Sequence, residues 1–258
     1  MCVGGNAADN FAKDKLVAWC IVPFDAKQRG PAERAAMLQR LGLKRVAYDW
    51  RAKHVPEFEE EILQYKKHGL EFFAFWAVHE KAFQLFEKHK ISPQIWSMFP
   101  SPKGSSQEAK VAAAAKQLLP LVARTKKMGS KLGLYNHGGW SGEPANLAAV
   151  CQYLRKHHDA KHVGIVYNLH HGHGHIADWE KSLHQMKPYL HCLNLNGMND
   201  GAQPKILQLG RGKHEVAMIA TIRKSGYTGP IGILDHRSDT DAEIALRENL
   251  DGLEKILK

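Results

Sequence analysis

Residues 163–175 read Val163-Gly-Ile-Val-Tyr-Asn-Leu-His-His-Gly-His-Gly-His175, and this stretch indicates the fold more clearly than any other. Its first half is apolar and rich in β-branched residues, as expected of a buried strand in a parallel sheet. Its second half changes to four histidines and two glycines. Polar loops at the carboxyl ends of such strands carry the chemistry of α/β proteins. The stretch therefore predicts both a strand and a functional site.

The neighbouring apolar runs repeat this plan. One precedes the central stretch at 131–140, and the other follows it at 190–198. Each run ends in polar side chains, so three consecutive strands would present their polar ends at one edge of a sheet. The residues predicted to meet there are Asn136, His137, Asn168, His170, His171, Asn194 and Asn196.

The whole chain alternates between strand-like and helix-like segments. Strands are predicted at 16–22, 45–50, 71–77, 94–99, 132–137, 162–168, 190–196 and 230–236. Helices are predicted at 32–41, 56–68, 80–89, 105–128, 144–157, 176–186, 215–225 and 241–257, with a kink at Pro120 and a capping box at 105–108. Eight such pairs in 258 residues favour an α/β fold, a single (β/α)8 TIM barrel, over an open doubly wound sheet. We expect one domain over 1–258, with 1–14 as a flexible N-terminal extension.

Composition narrows the functional classes. The chain is 44% hydrophobic and 24% charged, with a formal net charge of +10. No apolar run approaches the roughly 18 residues of a membrane span. The basic residues lie mainly on predicted helix faces, which indicates solvated surface, so nucleic acid is not an expected partner. The start of the chain does not resemble a signal peptide. A cytoplasmic location is favoured, with the periplasm open if a signal has been removed, and a homo-oligomer is also left open.

Two further groups of polar residues follow predicted strands. Asp49, Trp50 and Arg51 follow the second strand, and Asp235 and His236 follow the eighth. Trp50 could stack on a sugar and Arg51 could bind a carboxylate, phosphate or keto oxygen, with an Asp49–Arg51 salt bridge as the alternative. Arg211 follows the seventh strand, where barrels often bind anions. The buried asparagines suit sugar hydroxyls, unless they bond internally.

Three local patterns resemble the xylose isomerase-like TIM barrels, the superfamily of sugar isomerases, ketose epimerases and endonuclease IV. They are the Gly-Tyr-x-Gly-Pro-Ile run at 226–231, the Gly-x-Gly at 210–212, and the pattern from Val163 to His171. The likeness extends over nearly the whole chain and is strongest to bacterial proteins labelled sugar phosphate isomerase/epimerase. It implies a (β/α)8 barrel whose substrate binds at the carboxyl ends of the strands.

The resemblance also implies a divalent metal, and here the sequence departs from the family. Members hold the metal with Glu, Asp, His and Glu on strands five to eight, and the two glutamates move protons in the epimerases. The matching positions here are Tyr135, Asn168, Asn194 and Leu234, or Asp235 if the last register shifts by one. Only the substrate-side histidine, His171, is retained. Neutral amides bind Mg²⁺ or Mn²⁺ weakly, so the standard two-glutamate mechanism is not expected.

The histidines suggest a replacement site. His137, His171 and His236 are the predicted acid–base residues. His170, His171 and Asp235 form a candidate ligand set for one divalent transition metal (Zn, Mn, Fe or Ni), and binding of no metal is equally compatible with the sequence. Of the four clustered histidines, His173 or His175 is expected to be structural.

Several functions remain open at this stage. The first is a carbohydrate isomerase or epimerase acting at the barrel mouth on a small sugar or sugar derivative. A lyase or hydratase on 3-keto-glycosides is the alternative, because a ketone acidifies the neighbouring C–H. A non-catalytic sugar-binding barrel is a third, and an endonuclease IV-like repair enzyme comes last because its carboxylate ligands are missing.

Overall fold

Eight parallel strands close into a barrel in which each strand pairs with its neighbours in chain order and β1 pairs with β8. This arrangement is seen in a computed structural model that describes residues 9–258. The strands are β1 Val17–Trp19, β2 Arg45–Tyr48, β3 Glu71–Trp76, β4 Gln94–Ser97, β5 Leu132–Tyr135, β6 Val163–Asn168, β7 Leu190–Leu195 and β8 Ile231–Leu234. The predicted (β/α)8 barrel is confirmed.

One helix follows each strand. These helices are α1 Pro31–Leu41, α2 Phe58–Lys67, α3 Glu80–His89, α4 Gln107–Lys127, α5 Pro144–His158, α6 Trp179–Met186, α7 Glu215–Lys224 and α8 Ala242–Leu257. Their apolar faces pack on the outside of the barrel and, together with the outward side chains of the strands, form the larger hydrophobic core. A regular helix after each strand is what keeps all eight strands parallel.

A smaller apolar cluster fills the barrel interior. It includes Val17 and Trp19 of β1, Trp96 of β4, Tyr135 of β5 and Leu234 of β8. The indole rings of Trp19 and Trp96 meet edge to face, with centroids 4.9 Å apart. Because Trp96 is so large, the facing position on β5 is Gly133, where a Cβ would lie 2.5 Å from Val166 Cγ2 and 3.0 Å from Trp96 Cδ1.

Most differences from the sequence prediction lie at the ends of elements. Seven of the eight strands end one to three residues early, because their polar carboxyl ends leave the sheet to form the mouth. The capping residue of α4 is Ser106, whose hydroxyl accepts from the amide of Ala109, rather than Ser105. That helix continues through Pro120. Pro56 lies in the 3-10 turn Ala52–Glu57 that precedes α2.

The first residues described pack against the barrel. Asn10 donates to the carbonyls of Tyr227 and Gly229 at 3.1 and 2.8 Å, and Phe11 is buried. The expected flexible extension thus falls partly on 1–8, outside the described residues, and partly on a packed segment. Cys20, Cys151 and Cys192 are free and buried. Among residues 9–258, no helix has the length and apolar character needed to cross a membrane.

Candidate active site

A row of aromatic rings crosses the carboxyl-terminal mouth of the barrel. The imidazole of His236, just after β8, stacks on Phe24 with centroids 3.9 Å apart. His170 lies 5.2 Å from His236 on its other side, and His171 lies 3.8 Å from His170. His137, after β5, completes the row at 4.7 Å from His171. The structure thus brings together the three histidines predicted to act as acids and bases.

These imidazoles are held neutral. Burial lowers the pKa of His171 to about 3 and that of His236 to about 4, and it lowers the pKa of His170 well below its ordinary value. The pKa of His137 is also lowered, by partial burial and by the charge of Lys205. Near pH 7 each ring therefore offers one N–H donor and one nitrogen acceptor.

His170 is the most deeply buried ring of the row. It is 1% exposed, and within residues 9–258 neither of its ring nitrogens has a hydrogen-bond partner. Nδ1 of His236 is likewise without a partner in this part of the chain. Because an unsatisfied buried polar atom is costly, such atoms call for a functional explanation. Here they equip the mouth to hydrogen-bond a polar ligand.

Asp49 places a buried carboxyl group just after β2, near Arg51 and Tyr135. It is 2% exposed, and its Oδ1 accepts from the amide of Val22 at 3.4 Å, whereas its Oδ2 has no partner among the residues described. Burial raises the pKa of Asp49 to about 7, although the nearby charge of Arg51 acts in the opposite direction. A carboxyl with this pKa can both accept and donate a proton near neutral pH.

Tyr135 joins the carboxyl region to the histidines. Its ring centroid lies 5.9 Å from that of His171 and 6.1 Å from that of Trp19. Burial raises the pKa of the Tyr135 phenol well above its usual value, and the charge of Asp49 adds to this rise, so the phenol stays protonated. Nε1 of Trp19 is a buried donor directed at the Tyr135 phenol. This part of the mouth therefore contains both donors and acceptors.

Arg51 and Trp50 have different surroundings. The guanidinium of Arg51 lies over the rings of Phe24 and Trp76, 5.3 and 5.6 Å from their centroids, rather than in the alternative salt bridge with Asp49. Trp50 packs against Phe58 and donates from Nε1 to the carbonyl of Trp76 at 2.8 Å. Trp50 is thus part of the packing layer, and the aromatic faces at the mouth belong to Phe24 and Trp76.

Three predicted binding residues form a buried amide ladder across β5, β6 and β7. Asn136 donates to the carbonyl of Asn168 at 3.1 Å, and its own side-chain oxygen accepts from the amide of Asn168 at 2.7 Å. Asn194 donates to Oδ1 of Asn168 at 2.8 Å. Gly232 on β8 makes room, because a Cβ there would lie 1.8 Å from Asn194 Oδ1. The internal bonding that was the alternative for these amides is what the structure contains.

Other polar residues of the region hold loops in place. Asn196 donates to the carbonyls of Gly197 and Lys205 at 2.6 and 2.9 Å. His173 contacts the carbonyls of Asn199 and Lys205, so it ties the β6–α6 loop to the β7–α7 loop. His175 bridges Asp178 and Glu143. Both His173 and His175 therefore have structural partners.

Two predicted site residues make their recorded contacts outside the ring row. Asp235 is 1% exposed, with Arg237 at 3.5 Å, and burial raises the pKa of Asp235 to about 8. Arg211 is exposed and lines an outer groove with Glu248 and Lys255 of α8. The structure does not bring Arg211 into the mouth, because its loop folds outward over α8.

The metal set of the resembling family does not fit this chain. Tyr135 and Leu234 pack in the interior cluster, and Asn168 and Asn194 have their amides bonded within the ladder. A phenol, a hydrocarbon and two engaged amides are poor ligands for a divalent cation. At the end of β8, Leu234 rather than Asp235 belongs to the interior cluster. Across residues 9–258, no three His, Cys, Asp or Glu side chains are arranged to hold a metal ion, so His170, His171 and Asp235 are not assembled as ligands.

Sequence reasoning missed several residues of the mouth. Trp76 had a usable signal, because it alternates with Ala74 along β3 and so faces the interior with it. Phe24 and Lys205 lie in loops, where no periodicity shows which way a side chain points. Trp19 lies in an apolar strand whose pattern indicates core, and the structure places it in the interior cluster.

Comparison with solved structures identifies proteins with a similar fold. No protein-family model matches the chain, and no curated protein matches it by sequence. Its structure is similar to that of the 3-keto-D-glucoside 4-epimerase YcjR from E. coli, with 15% identity, 93% of this chain and 98% of that chain covered, and a TM-score of 0.66. It is also similar to a zinc-bound IolI protein, with 10% identity, 94% and 98% covered, and a TM-score of 0.70.

A third similar structure is a xylose isomerase-like TIM barrel protein from Mycobacterium smegmatis in complex with magnesium. It shares 15% identity, with 94% of this chain and 97% of that chain covered and a TM-score of 0.59. The class that the strands and helices define is a (β/α)8 barrel with its polar groups at the carboxyl-terminal mouth. Within that class, the fold is that of the xylose isomerase-like TIM barrels, as the sequence resemblance predicted.

Proposed function

We propose that this chain is a sugar-modifying enzyme that moves protons on a keto sugar at the barrel mouth, using side chains in place of the metal set of similar barrels. The observation that carries the proposal is the concentration of unpartnered buried polar atoms beside the aromatic rings at the carboxyl ends of the strands. These atoms belong to Asp49, His170 and His236. A sugar presents hydroxyls to such donors and acceptors and C–H faces to aromatic rings.

Asp49 would carry the proton. In its ionised form, Oδ2 accepts the proton from a carbon next to the ketone, and the electron pair of that C–H bond moves toward the carbonyl to give an enolate. A neutral imidazole of the row, His171 or His236, donates an N–H hydrogen bond to the enolate oxygen. The raised pKa of Asp49, about 7, supports its use both as base and, once protonated, as acid.

Two outcomes follow from the same enolate. Delivery of a proton to the opposite face of the carbon, by an acid other than Asp49, inverts that centre, which is epimerisation; return from Asp49 to the original face regenerates the substrate. Alternatively, the electron pair of the enolate expels an oxygen leaving group, which takes a proton from an acid and departs as an alcohol. Both routes need an acid apart from Asp49, and the length of the ring row from His137 to His236 supports one. The first parallels the 3-keto-D-glucoside 4-epimerase with a similar fold.

The experiment is an assay by NMR with methyl 3-keto-glucoside and methyl glucoside, on protein treated with a chelator and then desalted. Conversion of the keto sugar to an epimer, or release of methanol, would support the proposal and decide between its two outcomes. Methyl glucoside should remain unchanged, since it has no acidified C–H. Binding of the keto sugar without conversion, or loss of all activity in the chelated protein, would contradict it, and the former would favour the non-catalytic sugar-binding barrel.

A further inference from the structure

We propose that the sugar bound at this mouth carries an oxyanion, either a carboxylate or a phosphate, and that Arg51 binds this group. The proposal deepens the proposed function, because it names the substrate class of the same site. It rests on the position of Arg51, on the charges around it, and on its contrast with the other arginines.

Arg51 is positioned in advance of any ligand. Its Nη1 donates to the carbonyl of Trp50 at 2.7 Å, and the guanidinium lies over the faces of Phe24 and Trp76. One hydrogen bond and two aromatic contacts fix the plane of the group while leaving most of its five N–H donors free. A planar fork of donors held in this way matches the two oxygens of a carboxylate or a phosphate.

Three other arginines are already paired with carboxylates, whereas Arg211 lies outside the mouth, beside α8. Arg29 contacts Asp25 at 2.8 Å, Arg40 contacts Glu243 at 2.7 Å, and Arg237 contacts Glu248 at 2.9 Å. In the described part of the chain, no carboxylate forms an ion pair with Arg51, although the side chain is exposed at the rim. A guanidinium that is oriented but lacks an acidic partner is suited to an acid supplied by a ligand.

Arg51 is also connected to the ring row through the aromatic rings that it contacts. Phe24, on which it lies, stacks on His236 at 3.9 Å, and Trp76 meets Tyr135 edge to face at 6.4 Å. An oxyanion on Arg51 would therefore place the rest of the sugar over Trp76 and toward the unpartnered atoms of Asp49 and His236. This continuity is why we assign the group to the substrate rather than to a separate ligand.

The remaining charges of the mouth favour an anion as well. Lys205 is held at the mouth because its carbonyl accepts from Asn196 and His173 at 2.9 and 3.1 Å, and its charge contributes to the lowered pKa of His137 and His171. The four histidines of the ring row are neutral, and Asp49 is only partly ionised near pH 7. The field of Arg51 and Lys205 is thus largely uncancelled and would attract an anionic sugar.

The test is calorimetric binding to the whole chain at low salt, using methyl glucoside, methyl glucuronide and glucose 6-phosphate as probes. We expect one or both anionic sugars to bind about tenfold or more tightly than methyl glucoside. Comparing glucuronide with phosphate identifies which oxyanion is preferred. Arg51→Gln should remove the preference, and Arg51→Lys should retain only part of it because the fork is lost.

Arg223→Gln is the matched control, since Arg223 is exposed on α7, outside the mouth, and the change removes the same charge. Equal binding of charged and neutral sugars, no binding of either anionic sugar, or an equal effect of Arg223→Gln would overturn the proposal. Asp49→Asn should abolish turnover while keeping the preference for anions. Failure of the acid–base function and failure of anion recognition are therefore separate results.

Discussion

Asn194 donates a hydrogen bond of 2.8 Å to the side-chain oxygen of Asn168, which links two positions that the sequence resemblance predicts as metal ligands in the similar family. Asn168 in turn bonds to Asn136, so the amides satisfy one another deep in the barrel. At these two positions the side chains form hydrogen bonds that fix the ends of β6 and β7. The proposed chemistry therefore assigns proton transfer to Asp49 and the histidines of the mouth.

Gly232→Ala tests whether the ladder needs the space left on β8. The new methyl would lie 1.8 Å from Asn194 Oδ1, so either Asn194 or the strand must move. We expect a loss of about 1–3 kcal/mol in the free energy of unfolding, measured by urea denaturation. Gly174→Ala, where a Cβ meets nothing within 4 Å, should change stability little. Equal effects of the two substitutions would show that the ladder is not tightly packed.

Asn168→Asp would restore the carboxylate of the family pattern in a setting that cannot accommodate it. The aspartate loses the donor that Asn168 directs at Asn136, and its charge would be fully buried. We expect destabilisation of about 3 kcal/mol near pH 7, decreasing as the pH is lowered and the carboxyl is protonated. Asn146→Asp, on the first turn of α5, is the control: it also loses one donor, to the carbonyl of Trp140, but the side chain is only half-buried and the helix N-terminus favours the charge, so we expect a loss of less than about 1 kcal/mol. A stable Asn168→Asp variant at pH 7 would contradict the ladder interpretation.

Stability at alkaline pH should depend on Asp235. Its folded-state pKa, about 8, lies above its ordinary value of 3.8, so the folded protein binds this proton more tightly than the unfolded chain does. The resulting stabilisation is complete below about pH 4 and is lost as the pH rises through about 8. Asp235→Asn should therefore be more stable than wild type at pH 9 by about 2 kcal/mol or more. Denaturation curves at pH 6 and 9 measure this, and an unchanged difference between the two proteins would refute it.

Acid should destabilise the protein through the ring row. The folded-state pKa of His171, about 3, and that of His236, about 4, lie below the ordinary value of 6.5. The unfolded chain therefore binds these protons more readily, and stability falls as the pH drops below about 6.5. His171→Asn should make the fall between pH 6.5 and 4 shallower, whereas the exposed His158→Asn should leave it unchanged. Imidazole NMR signals assigned to His171 or His236 that titrate near pH 6.5 in the folded wild type would contradict this expectation.

The fold could be predicted from sequence because its signals are local. Runs such as 163–168 and 190–195 are largely apolar, and each ends where polar residues and glycine begin. The chemistry of the site could be predicted only in part. Period two places Asn168 and Asn194 inside the barrel, but their bonding to each other depends on register between strands that are 26 residues apart.

Loop conformation limited the rest of the site prediction. Arg211 was placed at the mouth by analogy with other barrels, but its loop turns outward and packs beside α8. Phe24 and Lys205 were overlooked for the same reason, since a side chain in a loop points where tertiary contacts send it. The elevated pKa of Asp49 likewise depends on burial between β1 and β2, which the sequence around Asp49 does not reveal.

The most direct measurement is exchange of the C–H hydrogens next to the ketone of methyl 3-keto-glucoside with solvent deuterium, followed by NMR on chelator-treated protein. The account predicts enzyme-dependent exchange in wild type and a loss of about 100-fold or more in Asp49→Asn, with the sugar still bound. Exchange at the wild-type rate in Asp49→Asn, or exchange that appears only when a divalent metal is added, would contradict it.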